Sequence, residues 1–417
     1  MNEMAPNTSE QKSAGNKAVG CGAICKPLDS VEELFQWTSA FVDKRLIGKP
    51  LLESTVRPSS DLTPRTLVCH DMMGGYLDDK FSDGVIFCDP AKLEPEFYLA
   101  HWWYMDVFVY FSHHFITIPP VGWIDAAHKH GCKVLGTLIT EGDGGASICG
   151  QLLESAEKVD ATVNQLLNIA QAYNFDGWLI NMENQIQVDQ LPNLCYFLRS
   201  LTTKLKCSLG EHRGLVVWYD SVISSSGRLK WQDELNAVNQ QFFNACDAIF
   251  LNYTWNDAAL QSSAALADLT ARRRDVYVGV DVFGRGCPGG GGFNSKEALS
   301  MIRKRGLSVA LFAPGWTFET LPKQDYMHNM HKFWWLLKDF LHHRRMTTLP
   351  IHTTFNACYY DDIKQQQLGF WLSHQDLQPH FLCAPTAAVA GFVDVFSPAH
   401  DPYGLSVKLS LFSGKLR

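Results

Sequence analysis

The sequence predicts an α/β protein: a (β/α)8 TIM barrel followed by a short β-rich C-terminal region. Three observations carry that expectation. Eight short runs rich in β-branched and aromatic residues recur from about residue 66 onward. Stretches with helical spacing of apolar residues lie between them. No GxGxxG follows an early run, as an open dinucleotide-binding sheet would require. Alternating strands and helices make a parallel sheet covered by helices, and eight repeats of the unit close it into a barrel.

Residues 1–30 are polar and unpatterned, read as a flexible leader without the apolar stretch of a secretory signal. The barrel is expected over 31–347. Its runs are TLVCHDM (66–72), DVFVYFS (106–112), KVLGTLIT (133–140), FDGWLINMEN (175–184), GLVVWYDS (214–221), DAIFLNYTW (247–255), DVYVGVDVFG (275–284) and SVALFAPGW (308–316). Between the third and fourth runs, Val159, Val163, Leu166, Ile169 and Ala170 fall on one helical face. Residues 191–207 and 233–245 read the same way. Arg272 to Arg274 precede the seventh run, and Arg303, Lys304, Arg305 and Gly306 precede the eighth. Cations in a last turn with Gly beyond it are helix stop signals, preferred here over anion-binding patches. Gly289–Gly292 lacks the following Lys-Ser/Thr of a phosphate loop and reads as a plain loop. An aromatic helix with Phe333, Trp334, Trp335 and Phe340 ends the barrel. Residues 348–417 alternate, as in FNACYY and LSVKLSLF, and read as a partial β-sandwich-like region, since a whole sandwich takes about 100 residues.

Composition narrows the function. Of 417 residues, 46% are hydrophobic and 19% charged, which excludes a disordered chain. Acidic residues outnumber basic ones 43 to 36, so a dedicated nucleic-acid binder is not expected. No run of about 18 apolar residues is present, and membrane insertion is not expected either. The 12 cysteines are scattered without a CxxC; Cys21 and Cys25 stand in the polar leader with no partners for zinc. They read as reduced thiols of a cytosolic protein.

Barrel active sites lie at the C-terminal strand ends. There the sequence sets His70, Asp71, Tyr110, His113, His114, Glu141, Asn181, Glu183, Tyr219, Asp220, Asn252, Tyr253, Trp255, Asp281, Arg285 and Trp316. Aromatic faces stack on sugar rings and carboxylates bind hydroxyls, so this rim points to carbohydrate. Tyr110 and Trp316 are its aromatic substrate-binding candidates. Glu141 and Asp281 are read either as hydroxyl binders or as members of rim salt bridges. His113 and His114 are adjacent on a strand and point oppositely, so they do not make a metal site.

Asn181-Met182-Glu183 is the sharpest feature. Residues i and i+2 of a strand share a face, so Asn181 and Glu183 both reach the lumen. An amide beside a carboxyl suits substrate-assisted glycoside hydrolysis, an exception to the two-carboxylate rule. Glu183 would act as acid and then base, while Asn181 holds a substrate acetamido group that attacks its own anomeric carbon. A two-carboxylate route with Asp220 or Asp281 as nucleophile needs a carboxyl about 5–5.5 Å from Glu183. Such chemistry needs no metal or organic cofactor.

FDGWLINMEN, LVVWYDS and FLNYTW, with RTLVCHDMMGGYLDDKF, VLGTLITEG, VYVGVDVFGRG and LFAPGWTFE in the same order, resemble the endo-β-N-acetylglucosaminidases of glycoside hydrolase family 85, over roughly residues 60–345. The resemblance implies Glu183 as acid/base, Asn181 as promoter of an oxazoline intermediate and Tyr219 as a tyrosine beside the acetamido group. It implies Trp231 and Trp255 as substrate-binding aromatics. It implies cleavage between the two GlcNAc residues of the N-glycan chitobiose core, with transfer to other acceptors as a side activity. The implied partners are N-glycans, free or on glycoproteins. Chitinase-like enzymes carry Asp two positions before the Glu, where Asn181 stands. Two departures keep a non-catalytic glycan binder as the alternative: Gly142 where the family usually shows Trp, and the short C-terminal region.

Overall fold

The computed structural model describes residues 23–82, 97, 99, 101–343, 359–361 and 366–368. Eight parallel strands form the barrel: β1 (Thr66–Asp71), β2 (Val107–Phe111), β4 (Lys133–Glu141), β5 (Gly177–Glu183), β6 (Leu215–Tyr219), β7 (Ala248–Leu251), β8 (Val276–Asp281) and β9 (Ser308–Phe312). Each pairs with the next, and β1 pairs with both β2 and β9, which closes the ring. The two-residue β3 (Ile116–Thr117) lies antiparallel on β4. All eight anticipated runs are barrel strands. Most of the leader, and residues 348–417 apart from the antiparallel pair Tyr359–Asp361 and Gln366–Leu368, lie outside the described residues.

The leader needs one correction at its inner end. Residues 23–30 belong to the barrel wall: Leu28 bridges Ile116, Ile24 bridges Phe81, and Cys25 is buried. Apolar Ala23, Ile24, Cys25 and Leu28 are too sparse to form a periodic pattern, so nothing local announces their docking.

Strand alternation divides the core in two. Leu67, Cys69, Val107, Val109, Phe111, Leu179, Val217, Tyr219, Phe250 and Tyr277 pack in the lumen. Val68, Phe108, Tyr110, Ile180, Met182 and Trp218 pack outward against the helices. The lumen is therefore a filled core whose top layer becomes the floor of a site. Around it stand α2 (Val121–Lys129), α3 (Gly142–Leu152), α4 (Ala156–Tyr173), α5 (Leu191–Leu209), α6 (Gln240–Ala245), α7 (Asp257–Asp268), α8 (Ser295–Lys304) and α10 (Tyr326–Leu337), after a short α1 (Val31–Gln36). In α4, Ser155 Oγ accepts from Lys158 N, Val159 to Ala170 supply the buried stripe, and Asn174 ends the helix at φ 65°. Gly177 opens β5, where a Cβ would stand 1.8 Å from Leu215 O; only glycine lets β5 and β6 run this close.

The barrel's lower end is an ionic floor. Asp176 is fully buried and takes His128 Nε2 at 2.7 Å, Arg213 Nε at 2.6 Å and Val134 N at 2.8 Å. Arg272 and Arg303 do more than end helices. Arg272 donates to the carbonyls of Phe243, Cys246 and Asp247, and Arg303 to those of Arg65, Leu307 and Phe340. They staple successive units together, the long-range half of a role that helix-stop logic sees only locally.

Candidate active site

β5 delivers Asn181 and Glu183 to the lumen mouth, with Met182 buried behind them among the helices. Asn181 Nδ2 donates to Glu183 Oε2 at 3.3 Å. Trp231 Nε1, from the loop after β6, donates to the other oxygen, Oε1, at 3.0 Å. Glu141 is the register partner of Glu183 on β4 and pairs with His113 Nδ1 at 3.2 Å. Burial lifts the Glu183 carboxyl above its ordinary range and the Glu141 charge adds to this, while the Asn181 and Trp231 bonds and His113 oppose it. A shift in this direction favours the protonated carboxyl that a general acid needs.

Tyr219 ends β6 with its ring in the lumen. Its hydroxyl donates to Asn252 Oδ1 at 2.8 Å, and Asn252 Nδ2 donates to Asp233 Oδ1 at 2.7 Å. Burial, then the charges of Glu183 and Asp220, hold the phenol far above its usual range, so it stays neutral. Thus five of the anticipated residues, Asn181, Glu183, Tyr219, Trp231 and Glu141, come from neighbouring strand ends on one side of the mouth.

Four anticipated binders are placed elsewhere. Tyr110 faces the helices, fully buried, and its hydroxyl is committed to Asp79 Oδ2 and to the Tyr76 N–H. Phe111, one residue on, is the lumen residue, as the two-residue period requires. Trp255 is buried with its N–H on Gly279 O, a packing residue rather than a stacking surface. Asp281 is fully buried and takes Phe283 N, Arg285 N and the Arg285 guanidinium, so the salt-bridge alternative holds and its oxygens are occupied. Trp316 is half-buried at the start of α9 (Trp316–Glu319), its ring edge-on to Phe293. Gly142, at φ 57°, has open space where a Cβ would stand, so the mouth beside Glu141 is bare.

Asp220 is no nucleophile. It is fully buried, its oxygens taken by Gln232 N at 3.0 Å, Asp233 N at 2.9 Å and Asn239 Nδ2 at 3.0 Å. Burial pushes its carboxyl up to about 7 against those three bonds. Asp233 was not among the anticipated residues, and Asn252 was placed at the rim without a role. Their bonds join positions 219, 233 and 252, which no local pattern connects.

The sequence model of glycosyl hydrolase family 85 matches residues 82–362. The chain belongs to glycosyl hydrolase family 85. This family 85 chain is 46% identical over 364 residues to the human cytosolic endo-beta-N-acetylglucosaminidase, covering 85% of the chain and 47% of the human protein. It is 43% identical over 325 residues to cytosolic endo-beta-N-acetylglucosaminidase 2 of Arabidopsis thaliana, covering 76% of the chain and 45% of the plant protein. The chain spans about half the length of the curated relatives it matches. The glycoside hydrolase domain of Endo-D from Streptococcus pneumoniae R6 superposes with a TM-score of 0.56 at 21% identity, covering 74% of this chain and 50% of that one. That likeness supports the family 85 barrel as a fold.

Proposed function

We propose that the chain is a retaining endo-β-N-acetylglucosaminidase. It hydrolyses the β-1,4 bond between the two GlcNAc residues of the N-glycan chitobiose core by substrate-assisted catalysis. The observation that carries this reading is the Asn181–Glu183 pair at 3.3 Å; the two aspartates weighed as nucleophiles, Asp220 and Asp281, are buried with their oxygens already occupied. With neither Asp220 nor Asp281 available to attack the sugar, we assign the nucleophile to the substrate's own acetamido group.

Glu183, whose burial raises its proton affinity, gives its proton to the glycosidic oxygen as the bond breaks. The 2-acetamido carbonyl oxygen attacks the anomeric carbon and closes an oxazolinium ring, the protonated oxazoline, whose N–H stays on the ring and donates to the Asn181 side-chain oxygen until water opens it. Asn181 orients that acetamido group and stabilises the ring; Tyr219, a neutral phenol within the same circle, bonds its polar edge. Trp231, 41% exposed with its N–H on Glu183, offers its face to the leaving GlcNAc. In the second step Glu183 takes a proton from water, which opens the oxazoline with net retention. A sugar hydroxyl in place of water gives transglycosylation. Glu141 at the bare mouth binds substrate hydroxyls. The relatives' names support a cytosolic setting, with free oligosaccharides or glycoproteins as substrates.

The test is digestion of a fluorescently labelled high-mannose N-glycan carrying the full core, beside Glu183→Gln. The expected product retains one GlcNAc on the label and is missing in the variant. A folded wild-type chain that leaves the glycan intact, yet binds it, would instead make this a glycan-binding barrel.

A further inference from the structure

We propose that Asp220 is the positioning residue of this site: one buried carboxylate latches the loop that supports both halves of the catalytic circle. The inference rests on the reading above and extends it to a residue that touches neither substrate nor Glu183. Tyr219 and Asp220 are consecutive at the top of β6, so they point oppositely. Tyr219 enters the lumen, while Asp220 turns behind it under the loop of residues 230–239.

That loop has two working side chains. Trp231 holds Glu183 Oε1 at 3.0 Å. Asp233 takes Asn252 Nδ2 at 2.7 Å and Thr254 N at 3.0 Å, and Asn252 in turn receives the Tyr219 hydroxyl at 2.8 Å. Both side chains hang from the short segment whose backbone Asp220 grips. Asp220 Oδ2 accepts from the N–H of Gln232 and of Asp233, and Oδ1 accepts from Asn239 Nδ2 at the far end of the loop. Asn239 Nδ2 also reaches Glu234 O at 2.8 Å, tying the loop's two ends to the same carboxylate. Asp233 sits at φ 58°, a conformation disfavoured for a residue with a Cβ, and the N–H bonds from Gln232 and Asp233 hold the segment there. A carboxylate is suited to this place because it accepts from three donors at once. An amide of the same shape offers one oxygen and turns two N–H groups toward donors.

The consequence is a coupling of two steps through one support. The Trp231 bond sets the proton affinity of Glu183, and the Asp233–Asn252 pair sets the direction of the Tyr219 hydroxyl. Releasing the latch loosens both together, whereas removing either side chain alone loosens one.

The experiment has two readings on Asp220→Ala, because Asp220→Asn can keep both backbone bonds on its one amide oxygen. Amide hydrogen exchange of the full chain is expected to show Gln232 and Asp233 protected in the wild type and fast in the variant. Wild-type amides at 232 and 233 that exchange at free-loop rates overturn the latch without recourse to any variant, as does unchanged protection in Asp220→Ala. For turnover of the labelled glycan, the variant is expected to lose on the order of 10²-fold in kcat with a smaller change in KM. Added to Trp231→Phe/Asp233→Ala, which already removes both delivered hydrogen bonds, the same substitution costs less than about twofold. An equal loss in both backgrounds means that Asp220 acts by another route and overturns the proposal. Failure of the wild type to cleave would sink the endoglycosidase reading alone, because the exchange measurement still decides the latch.

Discussion

At the scale of the residue, the site turns on what surrounds one carboxyl. Glu183 is flanked by two N–H donors that favour its ionised form and by a register-paired Glu141 that favours its protonated form. The two influences are separable. Trp231→Phe removes a donor that lowers the proton affinity of Glu183, so the alkaline limb of the kcat/KM profile is expected to move to higher pH. Glu141→Gln removes a repelling charge and is expected to move the same limb to lower pH, more so at low ionic strength. Paired pH profiles check both; shifts in the same direction would mean that these neighbours do not set the acid's strength. Aromatic residue type was a weaker guide than strand parity. Tyr110 and Trp255 have sugar-binding side chains, yet each is buried with its polar atom bonded within the protein. The face a strand residue takes follows from its place in the pleat, and Tyr110 lies one position out of phase with Phe111.

At the scale of the element, α4 is the part of the fold most fully expected from sequence. Its stripe from Val159 to Ala170 is wholly buried, and each large side chain there contributes about 1.5–3 kcal/mol. Its start rests on Ser155, whose hydroxyl accepts the Lys158 N–H. Ser155→Ala is expected to cost about 1 kcal/mol in denaturant unfolding without altering turnover, since the cap bond is made within α4, in the outer ring of helices. The loop after β6 is the opposite case. The helical spacing read over 233–245 is realised only in α6 (Gln240–Ala245); residues 233–239 form a loop whose shape depends on Asp220, Asn239 and Ser263 of α7, whose hydroxyl accepts Leu235 N at 2.8 Å. A loop formed by side-chain acceptors on other elements cannot be read from its own residues.

At the scale of the whole molecule, the barrel separates stability from chemistry at its two ends. The lower floor is held by buried ions, and the upper mouth carries the Asn181–Glu183 circle to which we assign the chemistry. Asp176 illustrates the floor: burial alone would raise its carboxyl, but His128, Arg213 and the Val134 N–H hold it below the ordinary range. A depressed carboxylate contributes stability that is present above its unfolded value of about 3.9 and is lost as pH falls through the folded one. Asp176→Asn is therefore expected to cost about 3–5 kcal/mol at neutral pH, leaving His128 and Arg213 without their acceptor, and to flatten the acid-induced loss below about pH 4. Equal acid sensitivity in the variant would assign that loss to other carboxylates. The sequence by itself determined the eight strands, the helical faces and the Asn181–Glu183 pair, because periods of 2 and 3.6 act between residues a few positions apart. The tertiary structure alone decided the docking of residues 23–30, the stapling by Arg303, the commitment of Asp281 to its own loop and the latch at Asp220. Closing a barrel brings positions as distant as 65 and 303 within hydrogen-bond reach. Which donor meets which acceptor there is set by strand register and loop length together, and no short window of sequence contains either.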